Sequence, residues 1–179
     1  MTHIALLRGI NVSGQKKIPM VELRKLLTDS GFDNVKTYIQ SGNVIFRSSQ
    51  EKRAVLENTI QKAIKLHFGF EVPVLVRTET EIQNILEACP FPEEKKTNGY
   101  FTLLHSAPDK SLVEETRLIS YPDEEFHITN RCVYFFSSTG YGKAKCNNNF
   151  FERKLKVSAT TRNYKTMVKL LSLCAKFRT

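Results

Sequence analysis

The chain has 179 residues, 41% of them hydrophobic and 25% charged, with 27 lysines and arginines against 18 acidic side chains and a net charge of +9. This is ordinary globular composition, enough for one domain or two small units, and no apolar run approaches the roughly 18 residues of a membrane span. The first residues carry no basic region and no small-residue cleavage site, so the expectation is a soluble, cytoplasmic protein with no membrane partner.

The elements follow in chain order. Ile4 to Leu7 is a short apolar run suited to a buried strand. Met20, Leu23, Leu26 and Leu27 recur at helical spacing, with Pro19 suited to the first turn and Gly31 to the position after the last. "VKTYIQSGNVIFRS" predicts a hairpin turning at Ser41-Gly42. A helix over 51–68, a strand at 72–76 and a helix over 79–88 complete the first half. "PFPEEKKTN", 90–98, is polar with two prolines and reads as a linker.

The second half repeats the order. "YFTLL" is a strand, 109–119 a helix, "EFHITNRCVYFFSS" a hairpin, "CNNNFFERKL" a helix and "VSAT" a short strand, and 162–177 form a last helix. Side chains repeat as well: "TYIQSGNVIFRSS" lies on "FHITNRCVYFFSST", and "EIQNILEAC" on "TMVKLLSLC". The expected fold is α+β: duplicated β-α-β-β-α-β-α units, two ferredoxin-like halves spanning 1–89 and 99–179. That topology has helices on one face of its sheet and can leave the other open to stack bases. Here "VYFF" is apolar at consecutive positions, so both faces of its strand are expected to be buried.

Charge is segregated. Residues 1–78 carry a net +6, residues 79–142 a net −6 and residues 143–179 a net +9. Separated basic segments favour anionic partners, nucleic acid or a phosphorylated small molecule.

Two segments suit anions. "RGINVSGQKK" joins strand to helix with two glycines and two lysines, but its lysine spacing and missing hydroxyl exclude a Walker A loop. It leaves a looser site of loop amides with Lys16 or Lys17. In "TTRNYK", Thr160 or Thr161 is expected to cap the last helix, placing Arg162 and Lys165 in a first turn whose dipole they oppose. A bound anion would reverse that conflict. In "QSGN", a hairpin requirement competes with a role for the Gln40 and Asn43 amides in orienting a ligand. "GYGKAK" is a weaker phosphate candidate, and "NNN" offers helix capping.

Catalytic signatures are scarce. The four histidines are isolated, and neither a His-Glu-x-x-His nor a Gly-x-Ser-x-Gly motif occurs. The four cysteines, Cys89, Cys132, Cys146 and Cys174, are too dispersed for a zinc site and read as reduced, mostly buried thiols. No metal or cofactor is implied.

The segments "ALLRGIN", "KIPM", "TYIQSGNVIF" and "TTRNYKT" closely resemble a bacterial family known as domain of unknown function 1697. The resemblance spans nearly the whole chain and implies a compact α/β protein of two ferredoxin-like halves, with no established activity. The family's signature positions fall here on Arg8, Gly9, Asn11, Thr37, Gln40, Ser41, Gly42 and Asn43, then on Thr161, Arg162, Asn163 and Thr166. Its glycine-lysine segment appears as 140–145, with Ala144 in place of the usual serine.

The leading expectation is a protein that binds a phosphate-bearing ligand, nucleic acid or nucleotide, at a site between the two halves. The residues expected to hold it are Arg8, Asn11, Lys16, Gln40, Ser41, Asn43, Thr161, Arg162 and Asn163. The alternatives are a metal-independent enzyme acting on a small phosphorylated or carboxylated metabolite, and a protein-interaction module.

Overall fold

The computed structural model describes residues 1–177. Contacts divide the chain into two compact units, Met1–Gln83 together with the stretch from Lys169 on, and Asn84–Val168.

The first unit runs β1 (Thr2–Leu7), α1 (Met20–Asp29), β2 (Asp33–Tyr38), β3 (Asn43–Arg47), α2 (Arg53–Phe68) and β4 (Val74–Thr78), and α3 (Glu79–Glu87) follows. Its sheet has the order β2-β3-β1-β4, antiparallel throughout, with Ala5 opposite both Val44 and Val76. Side-chain alternation divides the sheet into two faces. Ala5, Leu7, Val44, Phe46, Val74 and Val76 pack under Leu23 and Leu27 of α1 and Leu56, Ile60 and Ile64 of α2. The opposite face is closed as well: Ile4, Leu6, Ile45 and Leu75 are fully buried. Phe177 belongs to this unit, where its carbonyl accepts from Arg47 and Lys36 lies 4.5 Å above its ring.

The second unit contains α4 (Glu93–Thr97), β5 (Tyr100–Leu104), α5 (Lys110–Arg117), β6 (Glu124–Ile128), β7 (Cys132–Ser137), a 3-10 turn (Tyr141–Lys143), α6 (Asn148–Leu155) and β8 (Ala159–Asn163). α7 (Tyr164–Ala175) begins in it. The sheet order β6-β7-β5-β8 repeats that of the first unit. Both units therefore have the ferredoxin-like arrangement expected from the repeated β-α-β-β-α-β pattern. Cys132, Val133, Tyr134 and Phe135 are all buried, so both faces of β7 are closed, as its unbroken apolar run predicted.

Two segments differ from the sequence reading. The stretch 90–98 holds the short helix α4, whose Glu93 and Glu94 start it and whose Lys95 and Lys96 end it, in accord with the helix dipole. The last helix starts at Tyr164, and Arg162 lies in β8 rather than in a helical first turn. The ladder decides this. Thr161, Arg162 and Asn163 pair with Thr102, Phe101 and Tyr100 of β5, and the Asn163 side chain then caps the helix by accepting from the Thr166 amide at 2.9 Å. Lys165 alone of the two cations stands in the first turn.

Candidate functional site

The antiparallel ladder brings the end of β1, the β2–β3 turn and the start of β4 to one edge of the first unit. The Leu7 amide donates to the Gly42 carbonyl at 2.8 Å, and the Arg8 amide to the Pro73 carbonyl at 3.0 Å. Asn11 then fixes the β1–α1 loop. Its Nδ2 donates to the Ile18 carbonyl at 3.0 Å and to the Gln40 carbonyl at 2.8 Å, while its Oδ1 accepts from the Ile18 amide at 2.8 Å. One side chain thus closes the neck of the loop and ties it to the hairpin turn.

Within that neck the backbone doubles back, with Gln15 donating to Val12 at 2.9 Å and Asn11 to Lys16 at 3.1 Å. Gly9, Asn11, Ser13, Gly14 and Lys16 all have positive φ, interleaved with Ile10, Val12 and Gln15, which do not. Residues 12–17 are exposed, as are Gln40 and Ser41. The Lys16 Nζ reaches the Glu71 carbonyl at 2.7 Å.

Six predicted residues, Arg8, Asn11, Lys16, Gln40, Ser41 and Asn43, therefore share one end of the first unit, and two of them spend their amides on the architecture. Asn11 is described above. Asn43 is fully buried, and its Nδ2 donates to the Tyr38 carbonyl at 3.1 Å and the Ser41 hydroxyl at 2.9 Å. Thr37 accepts from Arg24 of α1 at 2.6 Å. Gly42 is required sterically: a Cβ there would lie 2.6 Å from the Leu7 Cβ, on a backbone with φ of +79°. Gln40 and Ser41 remain exposed at this end, beside Lys16 and Lys17.

A cavity of about 420 Å³ opens beside it, lined by Asn58, Gln61, Lys62, Lys65, Glu71 and Pro73 among others. Asn58, Gln61, Lys62 and Lys65 follow the i, i+3, i+4, i+7 spacing of one helical face. Lys65 pairs with Glu71 at 2.6 Å. The hydrogen bond from Lys65 and its charge, with a smaller contribution from Lys16, hold the Glu71 carboxyl below its ordinary pKa. The apolar positions of α2 mark its buried face, and the polar i, i+3, i+4, i+7 spacing is the sequence signal for this one.

Thr161, Arg162 and Asn163 lie in the second unit. The Thr161 hydroxyl donates to Asn148 Oδ1 at 2.8 Å and shares a hydrogen bond with the Thr102 hydroxyl at 2.8 Å. The Asn148 amide donates to the Tyr141 hydroxyl at 2.9 Å, and Tyr141 stacks on Tyr100 with 4.5 Å between ring centres. Asn148 thus joins the "GYGKAK" and "TTRN" segments, whereas Asn147 supplies the cap of α6, accepting from the Phe150 amide at 3.0 Å. Arg162 donates from Nη1 to the Thr161 carbonyl at 2.8 Å. Burial lowers its pKa to about 10, so it remains charged at neutral pH.

The thiols are poorly placed for chemistry. Cys132, Cys146 and Cys174 are buried, and burial raises the Cys146 pKa to about 12 and that of the half-buried Cys89 above its usual value. Among the described residues, no group of three or more His, Cys, Asp or Glu side chains could hold a metal ion. Tyr134, the central aromatic of β7, is buried and donates its hydroxyl to the Ile85 carbonyl at 2.9 Å, which removes it as a base-stacking surface. No helix among the described residues is long and apolar enough to cross a membrane.

The family described as "Protein of unknown function (DUF1697)" matches residues 1–134. The match takes in the signature positions from Arg8 to Asn43 and ends before 140–145 and 161–163. No curated protein matches. Among solved structures the chain is similar to the conserved bacterial protein SP0830 from Streptococcus pneumoniae, at 25% sequence identity over 96% of this chain and 97% of that one, with a TM-score of 0.73.

Proposed function

This chain belongs to the DUF1697 family of unknown function, and on that premise we propose that it binds a phosphate-bearing anionic ligand at the loop end of its first unit. One observation carries the reading: the β1–α1 loop interleaves left-handed residues with others while keeping residues 12–17 exposed. Turns of this kind, in which left-handed residues follow others, are where backbone N–H groups gather into anion-binding concavities, and among the described residues this loop spends only its Asn11 and Gln15 amides on its own carbonyls. Lys16 and Lys17 add charge at the same place, and Asn11 holds the loop in shape before any ligand arrives, which lowers the ordering cost of binding.

The closed sheet faces favour a ligand held by its phosphate over a single strand held by stacked bases. A thermal-shift panel of nucleotides, sugar phosphates, inorganic phosphate and oligonucleotides at 50 mM and 500 mM salt tests this. A compound present at 100 times its Kd should add about 2.7 kcal/mol of stability. Duplex DNA, were it the partner, would show a log–log salt slope of about −0.9 per neutralised phosphate. Turnover of a stabilising ester would extend the reading to an enzyme. Absence of any shift across the panel at 50 mM salt would overturn it.

A further inference from the structure

We propose that the ligand is a small phosphate ester whose phosphate binds Lys62 and Lys65 in the α2 cavity, in competition with the carboxylate of Glu71. This rests on the anion-binding reading above and gives that ligand a place and a size.

Lys62 and Lys65 lie on one face of α2 and line the cavity together with Asn58 and Gln61. Lys16 comes from the β1–α1 loop to the same rim, through its 2.7 Å bond to the Glu71 carbonyl. Lys62 and Lys65 thus line the cavity with one carboxylate, that of Glu71, which is paired with Lys65 at 2.6 Å, while Lys16 stands beside it on the Glu71 carbonyl. A phosphate dianion is the complement of such a set, since lysine binds phosphate as a point charge without demanding a planar fork. The volume of about 420 Å³ falls within the roughly 300–1,000 Å³ of small-molecule sites, which suits a mononucleotide or sugar phosphate rather than a polymer. Asn58 and Gln61 each offer a donor and an acceptor to the uncharged part of such an ester.

The Glu71 carboxylate and the ligand's phosphate compete for the same ammonium on Lys65 and repel each other across it, so the Lys65–Glu71 pair opposes binding. Glu71 and Lys65 are both exposed, and an exposed pair is a weak competitor that a dianion can displace.

Calorimetric titration with AMP and with inorganic phosphate tests the proposal, on the wild type and on K62Q/K65Q, E71Q and E51Q. Glu51 is exposed and lies before the opposite end of α2, so E51Q changes the net charge as E71Q does without touching the cavity. The expected result is that K62Q/K65Q weakens AMP binding by tenfold or more, that E71Q tightens it by about twofold to fivefold, and that E51Q leaves it unchanged. If AMP or phosphate binds but K62Q/K65Q and E71Q match the wild type, the cavity assignment is overturned while the anion-binding reading stands. Equal tightening by E71Q and E51Q would also overturn it, as an effect of bulk charge. If neither probe binds the wild type, the cavity proposal fails; if the wider phosphate panel fails as well, so does the reading beneath it.

Discussion

Arg77 and Arg162 occupy the same position in two copies of one unit. Each is the next-to-last residue of a fourth strand, two residues before a helix, and each donates from Nη1 to the preceding residue's carbonyl oxygen at 2.8 Å. The helix starts match in kind. Thr78 and Glu81 form a reciprocal cap, with Glu81 N donating to Thr78 Oγ1 at 3.2 Å and Thr78 N to Glu81 Oε2 at 2.9 Å, while Asn163 caps Thr166. Arg77 is only 4% exposed, and burial lowers the pKa of Arg162.

These arginines should therefore be structural. Arg77→Ala should destabilise the protein by about 1–3 kcal/mol, the range for removing a buried, hydrogen-bonded polar group, and Arg162→Ala, whose side chain is half-buried, should fall toward the lower end of that range. The sequence places Arg162 in a helical first turn, and an exposed cation there would cost under about 0.5 kcal/mol on removal. Urea denaturation decides between the two, and a near-neutral Arg162→Ala would restore the surface assignment.

Asn11 combines three hydrogen bonds with a left-handed backbone, φ 54°. Asn11→Ala should cost about 2–4 kcal/mol, from the lost bonds and from the strain of a Cβ-bearing residue without asparagine's local compensation. Asn11→Gly loses the same bonds but not the backbone preference, so it should recover about 1 kcal/mol of that loss. Equal stabilities for the two variants would show that the backbone conformation contributes nothing.

Gly42→Ala places its Cβ 2.6 Å from the Leu7 Cβ and 2.9 Å from the Ile10 Cδ1, at φ +79°. Overpacking and left-handed strain each cost about 1–3 kcal/mol. The variant should unfold well below the wild type in a thermal melt, and an unchanged Tm would mean that the β1 end and the turn can separate without loss.

The hairpin role of Ser41-Gly42 was legible because glycine in a turn between two apolar runs has a local cause. The two β-α-β-β-α-β patterns were legible for the same reason, since period and turn residues are local signals. Asn11 was not legible as a staple: one partner is seven residues away and another twenty-nine. The start of α7 was misplaced because Thr160 and Thr161 look like caps, and only the distant strand β5 makes them part of a ladder. Arg77 was available to the sequence alone. Laying "EIQNILEAC" on "TMVKLLSLC" pairs Glu81 with Thr166, and hence Arg77 with Arg162. The cavity on α2 needed the fold, because residues 71–73 close it from outside the helix.

Acid should destabilise the protein in two separate windows. His3 is 2% exposed, stacks on Phe46 with 5.5 Å between ring centres, and has a buried Nε2 without a hydrogen-bond partner. Burial, and then the nearby N-terminal charge, hold its pKa below the ordinary 6.5. The unfolded chain therefore takes up a proton near pH 6.5 that the folded protein resists. The neutral histidine's contribution is complete above that pH and is lost as pH falls below it, by at most about 1.4 kcal/mol per pH unit. Glu81 acts lower. Burial alone would raise its pKa, but the Thr78 amide and Arg53 outweigh that and hold it below 4.5, so its contribution is present above pH 4.5 and lost as pH falls through the folded value. Urea titrations between pH 8 and 5 should show stability falling below about pH 6.5, and His3→Phe, which keeps a ring against Phe46 but cannot titrate, should flatten that fall. A wild-type slope persisting in His3→Phe would assign the window to another group.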